Sequence, residues 1–243
     1  MTRGFLLGKV MPPHSGHVYL CDFARVLVDQ LTILVCSQER DPIPGALRLA
    51  WMQELFPSCR VLHLDEEEPQ EPSEHAEFWP IWQRLVRRFH PEPVDAVFAS
   101  EPYGVRLAKD VGARFVPVDL ARSVVPVSAR EIRRDPLGHW RYLPPPVRPY
   151  YVKKVCLFGP ESTGKSTLAK ALAAHFETVF VPEYARAYTD RFGTDCSRED
   201  LLRIAVGQSA AATSSRLAAP SWRTAGCGTE PFPVTLSRVC ALP

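Results

Sequence analysis

From Phe5 to Asp119, short apolar runs alternate with longer segments whose apolar residues recur at helical spacing. Phe5 to Gly8, Leu31 to Cys36, Arg60 to Leu64, Asp95 to Ala99 and Arg114 to Val118 have the pattern of parallel strands buried on both faces. Between them, Val18 to Val28, Gly45 to Phe56, His75 to Phe89 and Tyr103 to Val111 are predicted as helices. Strand alternating with helix predicts an α/β fold with a doubly wound parallel sheet. Ligands in such a sheet sit beyond the carboxyl ends of the strands, where His14, Ser37, Ser100 and Asp119 fall. A stiff stretch with Pro144 to Pro146 and Pro149 follows, set among Trp140, Tyr142, Tyr150 and Tyr151. A second alternating unit then opens with strand Val155 to Phe158, helix Thr167 to His175 and strand Thr178 to Val181. The boundaries expected are a first domain at 1–137, a connection at 138–153, a partial second domain at 154–208 and an atypical, low-order tail at 209–243.

Chemistry concentrates in the loop after the first strand, Gly8-Lys9-Val10-Met11-Pro12-Pro13-His14-Ser15-Gly16-His17. His14 and His17 are three residues apart at the mouth of a helix and share a face. Gly8 and Gly16 let the backbone approach a ligand, and the helix dipole there favours an anion, so the loop is a phosphate site with cationic or donor side chains added. One histidine near a loop is more often a surface or core residue, and zinc is a third reading. No cysteine or carboxylate lies close enough in sequence to complete a metal set. Further on, Ser128 can cap a helix while the N–H groups behind it and Arg133 face a second anion. Taken alone, that segment is equally a plain capped helix.

Gly159-Pro160-Glu161-Ser162-Thr163-Gly164-Lys165-Ser166 is a complete G-x-x-x-x-G-K-S loop between a strand and a helix that opens at Thr167. Its backbone N–H groups would wrap nucleotide phosphates, Lys165 would reach the outer ones and the Ser166 hydroxyl would ligate magnesium. Glu183 and Arg186, at the end of the following strand, suit the acceptor side of a kinase pocket, and a surface ion pair fits them almost as well. Ser197-Arg198-Glu199-Asp200 starts a further helix with a capping-box pattern. Two other features have plain readings. The acidic, proline-broken run Asp65 to Pro72 is a solvated loop, and Phe78, Trp79 and Trp82 form an aromatic stripe of the kind that packs a core.

The remaining composition narrows the classes. The 243 residues suffice for one large or two small domains with a buried core. A net charge of +2, with basic and acidic residues interspersed, supports neither a nucleic-acid nor a membrane partner. Seven cysteines without a C-x-x-C pair read as reduced thiols. The amino terminus has no cleavable apolar region and no run reaches membrane-spanning length, so a soluble, cytoplasmic protein is expected.

Pro13 directly before His-x-Gly-His, after the first strand, resembles the signature of the nucleotidyltransferase superfamily of adenylyl- and cytidylyltransferases, which implies a Rossmann-like domain. Val127-Ser128-Ala129-Arg130-Glu131-Ile132-Arg133 resembles its second signature, with Val127 in place of the usual isoleucine. With Ser37-Gln38-Glu39-Arg40, Ser100-Glu101-Pro102-Tyr103-Gly104, Trp140, Val147-Arg148-Pro149 and the P-loop, the order from Arg3 to about Gln208 is similar to that of the bifunctional nicotinamide-nucleotide adenylyltransferase and ribosylnicotinamide kinase family. The resemblance implies two reactions. ATP and nicotinamide mononucleotide would give NAD and pyrophosphate, and ATP and nicotinamide riboside would give the mononucleotide. It also implies roles: His14 and His17 on the ATP phosphates with Lys9 assisting, Ser128 and Arg133 on the departing pyrophosphate, magnesium bridging it, and Trp82 stacking on the nicotinamide ring. Some members carry an amino-terminal helix-turn-helix; none precedes the first strand here, so DNA binding is not expected. After Gln208 the family continues to a strand ending in an Asp-Thr-Asp-like cluster, whereas Ser209 to Pro243 has only Arg216, Arg223, Glu230 and Arg238 as charged residues and no clear period. The expectation is a frameshifted or truncated tail and an impaired kinase. Competing readings are an adenylyltransferase for another phosphate acceptor and a nucleotide-binding regulatory remnant.

Overall fold

In the computed structural model the described residues are 1–157, 159, 160, 162–176, 178–218 and 234–238. They fall into two compact units. The first comprises Met1–Asp135 with Arg141–Pro146, the second Pro136–Trp140 with Val147–Pro243. The expected connection at 138–153 is divided between them and contains two 3-10 turns, Trp140–Tyr142 and Arg148–Tyr151.

The first unit is a five-stranded parallel sheet built from β1 (Arg3–Gly8), β2 (Gln30–Ser37), β3 (Arg60–Asp65), β4 (Ala96–Ala99) and β5 (Arg114–Pro117), in the order β3-β2-β1-β4-β5. Its helices are α1 (Ser15–Leu27), α2 (Gly45–Leu55), α3 (Phe78–Phe89), α4 (Tyr103–Val111) and a short α5 (Ala129–Arg134). Successive strand residues point to opposite faces, so the sheet carries two cores. Leu6, Ile33, Val35, Ala96 and Phe98 pack on Leu20, Cys21 and Ala24 of α1 and Met52 of α2. Phe5, Leu34, Leu64 and Val97 pack on Phe78, Trp82, Leu85 and Val86 of α3 and Leu107 and Ala108 of α4. Central β1 has a partner on each side, Leu6 facing Ile33 and Phe5 facing Val97, and Phe5 is wholly buried.

The predicted elements are found with small shifts. The helix expected from His75 starts at Phe78, because His75 to Glu77 form a turn: the Phe78 N–H donates to the His75 carbonyl at 3.0 Å and the Glu77 N–H to His75 Nδ1 at 3.0 Å. Pro80, in the first helical turn, lacks an N–H the helix has no use for there. α4 stops at Gly112, whose φ of 78° suits a residue without Cβ and turns the chain back towards β5. The aromatic stripe of α3 is core: Phe78 and Trp82 are buried.

The second unit contains β6 (Lys153–Leu157), α6 (Lys165–His175), β7 (Val179–Val181), α7 (Tyr184–Phe192), α8 (Arg198–Ala218) and β8 (Val234–Arg238). Its sheet is parallel in the order β6-β8-β7, with Leu236 paired to Val155 on one side and Phe180 on the other. Two parts of the stretch expected as a low-order tail belong to regular elements of this unit. Residues 209–218 continue α8, and β8 takes the central place in the sheet, where its Val-Thr-Leu core has the β propensity a short strand needs. The rest of the tail, 219–233 and 239–243, and Phe158, Glu161 and Glu177 lie outside the described residues. Among the described residues no helix is long and apolar enough to cross a membrane, and Cys21, Cys36, Cys59, Cys156 and Cys196 are free thiols.

A Cβ at Gly4 would lie 2.9 Å from both the Phe98 ring and a Val28 methyl. Gly4→Ala is expected to destabilise the first unit by about 1–3 kcal/mol through overpacking, read as a lower urea midpoint with an unchanged slope.

Candidate functional site

Strand order reverses at β1, which lies between β2 and β4, so the loops leaving β1 and β4 diverge and open a crevice at their carboxyl ends. A cavity of about 100 Å³ occupies it, lined by His14, Gly16, His17, Ser100, Arg122 and Val127 among others. The loop after β1 thus brings both histidines to the residues after β4 and ahead of α5.

The two histidines cap their own helix. His14 Nδ1 accepts the Gly16 N–H at 3.0 Å, and His17 Nδ1 accepts the His14 N–H at 3.3 Å, a reciprocal capping box made from imidazoles. A Cβ at Gly16 would sit 2.8 Å from the His14 ring, so glycine is what lets that ring fold onto its own helix end. The rings are 3.9 Å apart between centroids. Burial, and then the nearby Arg122 guanidinium, lower the His14 pKa to about 4. Burial, His14 and Arg122 hold His17 well below the ordinary range. Both rings are therefore neutral at pH 7. Because each accepts at Nδ1, each carries its proton on Nε2. The chemistry is two neutral N–H donors, not cations, at a helix amino terminus.

Positive charge stands beside this pair at Arg122. Arg122 faces Glu101 at 3.5 Å, both half exposed. Its loop is folded around Asp119, whose carboxylate accepts the N–H groups of Ser123, Val124 and Val125 at 2.8 to 3.1 Å. Those amides outweigh the desolvation that would raise the Asp119 pKa and hold it low. Lys9 Nζ lies 3.2 Å from Gln38 Oε1 and 3.3 Å from Asp41 Oδ1. Arg133 donates to the Met11 carbonyl, joining α5 to the histidine loop, while Ser128 caps α5 in a capping box with Glu131.

Other expected residues stand further from the crevice. Ser37 Oγ is 2.8 Å from both His63 Nε2 and Asp65 Oδ1, closing the ends of β2 and β3. Trp82 is 6% exposed and its indole N–H donates to the Pro69 carbonyl at 2.9 Å, so this structure places it within the core. A Cβ at Gly8 would meet open space.

Three residues escaped the sequence reading. Arg122 had no motif of its own. Asp41 and Arg48 form a buried ion pair at 2.7 Å, and Arg48 is wholly buried. The signal was present: Arg48, Trp51 and Met52 have the i, i+3, i+4 spacing of an inward face, with a guanidinium where an aliphatic residue belongs.

In the second unit the P-loop bends as its sequence requires. Gly159, Ser162 and Gly164 have φ values of 154°, 59° and 78°, the left-handed turns that make a nest of backbone N–H groups. Lys165 is 7% exposed and donates to the Pro160 carbonyl, with Thr163 Oγ1 at 3.4 Å. Ser166 and Thr167 occupy the first turn of α6. Glu183 is the residue before α7 and Arg186 lies exposed in its first turn. A larger cavity of about 480 Å³, between α7 and α8, is lined by Tyr188, Phe192, Asp200 and Arg203 among others and by no P-loop residue.

Since the folded His14 pKa of about 4 lies below the unfolded value of 6.5, the unfolded chain binds more protons between them. Its contribution to stability is complete above pH 6.5 and lost as pH falls towards 4. An NMR titration should give a His14 midpoint near 4, with the thermal midpoint falling over the same window; a midpoint near 6.5 would contradict the buried, neutral ring.

Comparison with known proteins agrees with both halves. An AAA domain model matches residues 154–231. The trifunctional NAD biosynthesis/regulator protein NadR of Escherichia coli (strain K12) is 31% identical over 207 residues, 77% of this chain and 50% of that protein. The nicotinamide-nucleotide adenylyltransferase of Pyrococcus horikoshii is 26% identical over 166 residues, 64% of this chain and 84% of that one. A crystal structure of NadR in complex with NAD and AMP-PNP superposes with a TM-score of 0.69 at 22% identity, covering 98% of this chain and 69% of that chain, a likeness of fold. The chain spans about half the length of the NadR proteins it matches. It is homologous to the NadR proteins of NAD biosynthesis and to nicotinamide-nucleotide adenylyltransferases.

Proposed function

We propose that the first unit transfers the adenylyl group of ATP to nicotinamide mononucleotide, giving NAD and pyrophosphate, and that the second binds ATP as a ribosylnicotinamide kinase domain. The observation that carries the first reading is the pair of neutral imidazoles that present Nε2–H donors at the amino terminus of α1, beside the β1–β4 crevice. An oxygen of the mononucleotide phosphate attacks the α-phosphorus of ATP. The bond from that phosphorus to its bridging oxygen breaks, and pyrophosphate leaves with the electron pair. The nucleophile is already ionised at neutral pH, so no general base is required. The need is to bring anions together and to stabilise charge on the equatorial oxygens.

His14 and His17 donate to those oxygens, and the N–H groups of α1 add the field of a helix amino terminus. Arg122 and Lys9 reach the outer phosphates by exchanging Glu101 and Asp41 for them, while Ser128 and Arg133 lie next to the departing pyrophosphate. Among the described residues no group of three His, Cys, Asp or Glu side chains could hold a metal. Magnesium bound to the triphosphate would supply charge neutralisation there. In the second unit Ser166, in the first turn after the P-loop, would ligate it.

For Trp82 to stack on nicotinamide, a face of its buried indole must be uncovered. The family match through residue 231 and the strand at Val234–Arg238 support a second unit that extends past Gln208, where the order of recognised motifs ends.

With ATP, magnesium and nicotinamide mononucleotide, the purified chain should form NAD. His17→Ala should lower kcat by about 100- to 1,000-fold, the usual loss for one donor to developing charge, and chelation of magnesium should abolish turnover. NAD formation unaffected by His17→Ala would refute the reading. In the same sample, Lys165→Ala should abolish any ADP formation from ATP and nicotinamide riboside while leaving NAD formation intact, which separates the two units.

A further inference from the structure

Val10, in the middle of the histidine loop, has a φ of 41° and is 4% exposed. A β-branched residue in the left-handed region is strained, and it stays there only where its surroundings over-determine it. Two arginines supply that constraint. Arg48 Nη1 donates to the Lys9 carbonyl at 2.5 Å, just before Val10, and Arg133 Nη1 donates to the Met11 carbonyl, just after it. The turn they bracket carries the chain from the end of β1 to Pro12 and Pro13 and so delivers His14 to the cap of α1.

Arg48 is more than filler. The same Nη1 reaches the Cys36 carbonyl at 3.1 Å, Nη2 reaches Asp41 at 2.7 Å, and Nε is buried without a hydrogen-bond partner among the described residues. Desolvating this pair is costly, and an aliphatic residue would fill the space without that cost. What the guanidinium adds is direction: one rigid fork ties the residue after β1 to the end of β2. Asp41 locks the fork, and its carboxylate also accepts the Gln38 N–H at 3.0 Å and Lys9 Nζ at 3.3 Å. Both the backbone and the side chain of Lys9 therefore depend on the one buried pair.

We propose that Arg48, locked by Asp41, is a positioning residue for adenylyl transfer: with Arg133 it holds Val10 in the left-handed conformation that sets His14 and His17 against the reacting phosphates. The inference rests on the adenylyl-transfer reading above. It makes a specific demand, because glycine adopts positive φ without strain and should relieve the need for the clamp.

The test measures kcat and KM for NAD formation, and thermal midpoints, for wild type, Arg48→Met, Arg48→Lys, Val10→Gly and both Val10→Gly double variants, with His17→Ala alongside. Arg48→Met and Arg48→Lys should each lose about 100-fold in kcat/KM, mostly in kcat, since small misplacements of reacting groups have effects of that size. Adding Val10→Gly should restore about tenfold or more of that loss, the equivalent of the strain removed, although it deletes a buried side chain and lowers the thermal midpoint further. Activity rising while stability falls is what an Arg48 acting only by packing could not produce. If Arg48→Met does not fold, Arg48→Lys, which keeps the charge and most of the volume, carries the same comparison. Absence of rescue, or Arg48→Lys equal to wild type, overturns the inference while loss of turnover in His17→Ala leaves the adenylyl-transfer reading standing. A folded wild type that forms no NAD defeats both.

Discussion

A helix that begins at a sheet's carboxyl edge leaves its first N–H groups without partners, and in this protein the manner of satisfying them shapes the whole site. Serine or aspartate is the usual cap. Here the cap is His14, whose ring accepts the Gly16 N–H, and His17 accepts the N–H of His14 in return. Each imidazole is thereby oriented by the backbone it caps, and its remaining nitrogen is left as a donor. The capping bonds that terminate α1 and the donors proposed for phosphate are opposite edges of the same two rings. Gly16 must be glycine for the rings to fit, and the chain must turn at Val10 for His14 to arrive at the cap.

Much of this was legible in the sequence. Buried parallel strands announce themselves as apolar runs, and each run from Phe5 to Val118 became a strand within a residue or two of its expected limits at most ends. The histidine loop and the P-loop were legible because their chemistry is local, with the ligand-facing groups set by residues within ten positions of one another. Arg48 and Asp41 were not, since their significance depends on the Lys9 and Cys36 carbonyls reached across the tops of two strands. Helical spacing marked Arg48 as inward-facing without saying what it would meet. Neutrality of the histidines was likewise hidden, because burial and Arg122, which approaches from the loop after β5, decide it.

The second unit shows a different limit. Ser209 to Pro243 has few charges and no visible period, yet residues up to Ala218 extend α8 and Val234–Arg238 enters the sheet between β6 and β7. A five-residue strand paired on both sides carries little periodic signal of its own; its place is specified by the neighbours' exposed edges, which are remote in sequence. α7 was missed for a related reason. Tyr184 to Phe192 has no aliphatic residue larger than alanine to mark an inward face, and the bonds that tie the helix to α8 join residues remote in sequence: Gln208 accepts the Tyr184 N–H at 2.7 Å and the Tyr188 hydroxyl donates to Asp200.

The distribution of charge in the first unit explains why neutral donors suit the proposed adenylyl transfer. Cationic histidines in a buried pair would repel each other and Arg122, and burial would push their protons off. The full charges have carboxylate partners instead, Arg122 with Glu101 and Lys9 with Asp41. Both guanidinium and ammonium are partly exposed, so each can trade a carboxylate for a phosphate with little desolvation to overcome. Arg48 cannot trade, being wholly buried and bonded to backbone carbonyls as well as to Asp41. Asp41 thus divides its two oxygens between a fixed partner, which sets the loop, and an exchangeable one, which can answer the substrate. A carboxylate in that position lets Lys9 turn towards an anion without loosening the backbone that carries it.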